Sequence, residues 1–187
     1  MLPRISPQTT KYIMKNSMKT FLILPLMAVF VLSSCKKEDD EPVAMKSKTY
    51  TYAFNTGQVG AGTAYDGTHA KNLTGTLMLE EMTGGKTKVT VSLMNTMNGQ
   101  NYMVHSHDAA DPMTTPNGTP YNETPNASVL VGILNGNGGT ASYTQESSMS
   151  FDALTTTYNG FFVVHDPLQQ VSTTDLSTYL IVAAFAR

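Results

Sequence analysis

From about Thr49 onward, apolar residues recur at every second position. Tyr50, Tyr52 and Phe54 alternate with Thr51 and Ala53, Leu77 and Leu79 with Thr76 and Met78, and Val89, Val91 and Leu93 with Thr90 and Ser92. A period of two sends successive side chains to opposite faces, so these stretches predict strands with one face buried. Between them, Thr83-Gly84-Gly85-Lys86, Met97-Asn98-Gly99-Gln100 and the glycine-rich run 136–139 supply the residues that tight antiparallel turns need. Further candidate strands, short and separated by turn signals, are 101–107, 128–134, 140–146, 148–154, 160–165 and 179–186. With about eight or nine strands and no convincing helix, the body of the chain reads as an all-β sandwich or barrel. The exception is 108–127, which carries Pro112, Pro116, Pro120 and Pro125 and no strand pattern; its length marks it as a functional loop rather than a connector.

The pattern differs near the start. Lys15 and Lys19 precede an apolar run over 21–32, too short to cross a bilayer and of the length of a signal-peptide core. It ends in Leu32-Ser33-Ser34-Cys35, which resembles the lipobox of bacterial lipoproteins. That resemblance implies removal of 1–34, lipidation of Cys35 as the new N-terminus and anchoring to a membrane of the bacterial cell envelope. Whether the protein would face the periplasm or the cell surface stays open, and a plain secretory signal with an incidental cysteine is the alternative. Residues 35–48, with Lys36-Lys37-Glu38-Asp39-Asp40-Glu41-Pro42, read as a flexible acidic tether, and 49–187 as the folded domain.

Composition narrows the function. The chain has 187 residues and a net charge of −2, but four of its 12 basic residues and none of its 14 acids precede Cys35, so the remainder carries −6. No basic stripe could neutralise a run of phosphates, which argues against a nucleic-acid partner. The single cysteine permits no internal disulfide, so the domain must rest on its core, and a metal would have to be held by His, Asp or Glu.

Three of the four histidines lie where strands meet loops. In Met103-Val104-His105-Ser106-His107-Asp108, alternation puts His105 and His107 on one face about 7 Å apart, close enough to share one ion. His165 closes the apolar run Gly160-Phe161-Phe162-Val163-Val164. Neutral imidazole suits copper and zinc. The alternative is three exposed or hydrogen-bonded strand-end histidines. His69 is a candidate further ligand but reads better as a solvated turn residue. Met103, on the face of His105, and Met113, in the loop, could offer soft thioethers, although filler explains either.

The segment from Thr90 to Asp108 resembles the strand, turn and His-x-His strand of the Cu/Zn superoxide dismutases. Phe161-Phe162-Val163-Val164-His165-Asp166 is similar to a second copper-ligand strand of that family, 179–186 to its closing strand, and 131–139 to one of its glycine-rich turns. The resemblance covers roughly 50–187. It implies a Greek-key β-sandwich or flattened barrel of about eight antiparallel strands, with a metal site on its outer wall beneath two long loops. It implies one copper ion, with His105, His107 and His165 as ligands and superoxide as substrate.

The chain also departs from that pattern. The slot of the bridging histidine holds Pro120 or Tyr121, and the further zinc histidines are missing, so zinc is not expected. The loop-anchoring disulfide cannot form. The arginine that draws in superoxide would fall near Ser177 or Thr178, where no Arg stands. Turnover therefore stays open, and with no bridging imidazole a proton would have to come from water, Asp108 or Asp166. A non-enzymatic chordin-like module for interaction or copper buffering at the cell surface is the competing reading. A zinc hydrolase is a weaker third, since no general base is evident.

Overall fold

In a computed structural model, the described residues are 45–55, 65–172 and 175–187. The apolar leader, Cys35 and the tether up to residue 44 lie outside them. The described residues form nine strands: β1 (Ser47–Ala53), β2 (Thr74–Met82), β3 (Lys86–Met94), β4 (Asn101–Ala109), β5 (Tyr121–Pro125), β6 (Val131–Asn135), β7 (Ala141–Ser147), β8 (Gly160–His165) and β9 (Tyr179–Ala184). β1 thus takes in the last two residues read as tether.

The strands make two antiparallel sheets, one in the order β1-β2-β3-β7 and the other in the order β5-β4-β8-β9, with β6 also paired to β4. After β3 the chain crosses to the second sheet. It then returns through β7 to lie beside β3, and β8 in turn lies beside β4, the long-return wiring of a Greek key. The domain is an all-β sandwich, and its sheets do not close into a barrel.

Alternation places the core between the sheets. Leu77, Leu79, Val89, Val91 and Leu93 from one sheet meet Tyr102, Val104, Phe162, Val164 and Ile181 from the other, all fully buried. The outward face of the first sheet is polar. Hydroxyls pair across β3 and β7 (Thr90 with Thr144 at 3.1 Å, Ser92 with Ser142 at 2.7 Å), and Lys88 meets Glu80 at 2.7 Å. The tight β2–β3 hairpin turns on Gly84 and Gly85, both at positive φ, where a Cβ would be strained.

The second sheet is covered on both faces, which explains why β8 and β9 read as unbroken apolar runs rather than alternations. Outside it lies a smaller cluster of Tyr121, Val163, Leu176, Tyr179 and Val182. Tyr121, from β5, and Leu176, from the residues just before β9, pack onto this face.

Two expectations fail locally. The stretch 148–154 is not a strand: Phe151 and Leu154 are buried three residues apart, a helical spacing, and the chain forms a π-helical turn over Ala153–Thr157 closed by Tyr158 N–H donating to the Ala153 carbonyl at 2.8 Å. Thr155, Thr156 and Thr157 each donate their hydroxyl to the carbonyl four residues back, which holds the turn. The segment 108–127 does hold a strand, β5, but a marginal one, paired to β4 only at His107 with Pro125 and Ala109 with Tyr121 across a bulge. Its proline sits at the end of an edge strand, where no ladder donor is required.

Candidate metal centre

The centre lies on the outer face of the second sheet, and register builds it. β4 directs Met103, His105 and His107 to that face, while Tyr102 and Val104 point into the core. β8 runs antiparallel beside it with Val104 opposite Val164 and His105 opposite Val163, so His165 comes to the row of Met103. β9 completes that row by setting Tyr179 opposite His165 after a bulge.

The three imidazoles, 60 residues apart in sequence at their widest pairing, stand together. His105 is 3% exposed, His107 0% and His165 2%. The rings of His107 and of His165 each stand 4.8 Å from that of His105, edge to face. Tyr121 stacks on His107 at 4.6 Å, and Tyr179 meets His165 edge-on at 4.2 Å. Tyr121, not Pro120, therefore occupies the place next to His107.

Burial makes these neutral bases. It pushes His105 down to about 3 and His165 to about 4, aided by the neighbouring imidazoles, and it also lowers His107 against the pull of the Asn122 carbonyl. Burial also raises the phenols, Tyr179 to about 12 and Tyr121 well above its ordinary value, so both stay protonated. His107 Nδ1 donates to the Asn122 carbonyl at 2.7 Å, which fixes the tautomer and leaves Nε2 as a bare lone pair. That Nε2 and His165 Nδ1 are buried without a hydrogen-bond partner. Unpaired polar atoms at such depth cost free energy, and an ion ligated by His107 Nε2 would satisfy that atom.

The rings are close but not spread about one point. His105 Nε2 and His165 Nε2 share a hydrogen bond at 2.8 Å, whereas two nitrogens about 2.0–2.1 Å from one tetrahedral ion stand about 3.3 Å apart. Among the described residues, no group of three His, Cys, Asp or Glu side chains stands so that it could hold a metal ion as it is. Opening the His105–His165 pair by about half an ångström is what metal entry would require. The donor set fits copper in kind: neutral nitrogens, two of them unpartnered, in an apolar setting.

Compared with known protein families, curated proteins and solved structures, the chain has no match. The site must be read from its own chemistry.

His69 does not join it. Its ring lies inside the sandwich, 2% exposed, with Nδ1 against the Ala70 carbonyl at 2.8 Å and Nε2 against the Tyr102 hydroxyl at 2.7 Å. Both nitrogens are satisfied on the core side of β4, so it is neither a ligand nor a solvated turn residue. Met113 is 90% exposed. Asp108 Oδ1 accepts from Asn126 Nδ2 at 2.7 Å and from the Tyr158 hydroxyl at 3.0 Å, and so holds the loop rather than the imidazoles. Asp166 is 2% exposed and accepts from the Tyr65 hydroxyl at 2.5 Å, Leu168 N–H at 2.9 Å and Gln169 Nε2 at 3.1 Å. The protonated groups that touch the imidazoles are the two phenols. Sequence reasoning missed Tyr179, although its position one strand-width from His165 follows once β8 and β9 are paired.

A cavity of about 140 Å³ opens beside His165, lined also by Met103, Ile133, Asp166, Pro167 and Gln169. None of its lining residues is Lys or Arg.

Proposed function

We propose that this domain binds one copper ion through His105, His107 and His165, as an envelope lipoprotein anchored through Cys35 with a superoxide dismutase-like build. The observation that carries the reading is the convergence of three buried, neutral imidazoles on one sheet face, two of whose ring nitrogens lack partners. The Greek-key sandwich, with Tyr121 and Leu176 packed onto its outer wall, supports the resemblance seen in the sequence.

Bound copper would supply one-electron redox chemistry. The chain's own contribution is to orient His107 through the Asn122 carbonyl, to exclude bulk water with Tyr121 and Tyr179, and to hold protons on those phenols beside the imidazoles. Electrostatics favours holding copper over rapid turnover of an anion. Arg187, the arginine of the described residues, donates to the Tyr158 carbonyl at 2.7 Å, and the mouth of the cavity carries no cation.

Metal analysis of the full chain loaded with copper and zinc together, beside His165→Ala, tests the reading. About one copper per chain, lost in the variant, is expected, and a superoxide assay then separates turnover from buffering. A chain that takes up no copper overturns the proposal. That result would favour the second reading, a metal-free module in which the His105–His165 hydrogen bond is a buried polar contact of the fold. It would then show the same melting temperature with and without added metal.

A further inference from the structure

We infer that Met103 is the entry ligand for a soft monovalent cation, Cu(I), and that the cavity beside His165 is its port; the inference rests on the three-histidine reading. Met103 is half-buried, two residues before His105 on the same face of β4 and in the row of His165. Met103 and His165 line the same cavity, so an ion entering it meets a thioether and an imidazole together. Met113, by contrast, is exposed in the loop.

The rest of the lining suits the same ion. Ile133 and Val171, 54% and 45% exposed, give the lining an apolar side, Asn101 and Gln169 add neutral amides, and the charged side chain, Asp166, is buried and already held by Tyr65, Leu168 and Gln169. A thioether prefers Cu(I) to Cu(II) or Zn(II), and a mouth without Lys or Arg sets no like charge against an entering cation. In this scheme Cu(I) meets Met103 and His165 first and passes to His105 and His107 as the His105–His165 hydrogen bond opens. No electron moves in the step.

The test uses the full chain, stripped of metal and kept without oxygen, with Met103→Leu and His165→Ala alongside. Each is titrated with Cu(I) presented as its bicinchoninate complex and, separately, with Ag(I), a soft ion that does not change oxidation state here. Leu keeps the volume of Met, so the fold should hold and the metal-free melting temperature should match wild type. M103L is expected to slow uptake of Cu(I) and Ag(I) about tenfold or more, with Cu(II) stoichiometry unchanged. If M103L takes up both soft ions at the wild-type rate while His165→Ala fails to bind, the entry role is overturned and the three-histidine reading stands. Wild-type protein that takes up neither ion overturns both.

Discussion

Single atoms decide several features of this domain. At Gly132 a Cβ would lie 2.3 Å from the ring of Tyr143, whose hydroxyl donates to the Val131 carbonyl at 3.0 Å. Gln145 completes the contact by accepting from Val131 N–H at 2.9 Å and donating to the Ala127 carbonyl at 2.8 Å. Two side chains of β7 thus cover the backbone of β6 on the side away from β4, where an open strand edge would otherwise invite pairing with another chain. Gly132→Ala should cost about 1–3 kcal/mol by displacing Tyr143, measured by chemical denaturation. In a Tyr143→Ala background the same substitution should be nearly neutral; an equal cost in both backgrounds would show that the ring is not what Gly132 accommodates. Nothing in the alternation of β6 foretold this, because the clash is with a strand of the other sheet.

Between β8 and β9, the described residues 166–172 and 175–178 are held without a disulfide. Asp166 N–H donates to the Thr178 carbonyl at 3.2 Å, Asp66 N–H to the Ser177 carbonyl at 2.8 Å, and Tyr65 clasps the Asp166 carboxylate while accepting from His69 N–H at 2.8 Å. Ser177 and Thr178 lie in the short 3-10 turn Leu176–Thr178, capped by Asp175, which brings Leu176 onto the outer cluster. Tyr65→Phe would leave the buried His69 N–H without its acceptor and Asp166 Oδ2 with Gln169 Nε2 alone, at about 1–3 kcal/mol. Hydrogen exchange should then quicken in 166–172 and 175–178 and stay unchanged in the β2–β3 hairpin. Uniform quickening would mean that Tyr65 serves the whole core instead of this latch. Element identity was legible where periodicity was strong, as in β2, β3 and β4. It misled at 148–154, because Ser148-Met149-Ser150-Phe151-Asp152-Ala153-Leu154 alternates like a strand until its buried pair, Phe151 and Leu154, is known.

Across the molecule, the buried imidazoles should govern how stability depends on pH. All three titrate lower in the folded chain than the 6.5 of the free side chain, His105 at about 3 and His165 at about 4. Between about pH 6.5 and 4 the unfolded chain therefore binds more protons than the folded one. This stability is full above pH 6.5 and is lost as pH falls through that window, at up to about 1.4 kcal/mol per pH unit for each histidine. The denaturation midpoint of the metal-free chain should drop between pH 7 and 4.5, and less so in His165→Ala. A flat profile would place these rings in contact with water. The sequence by itself determined the all-β class, the tight turns and the shared face of His105 and His107, because period two and turn chemistry are local properties of the backbone. It also marked β8 and β9 as apolar along their whole length. Only the tertiary structure decided what that run meant: a second sheet covered on both sides, His165 brought beside His105, Tyr121 and Tyr179 laid against the imidazoles, and His69 sealed into the opposite face. Periodicity tells which side of a strand a residue faces, but the strand that lies alongside and the loop that covers it are set by packing between residues far apart in the chain.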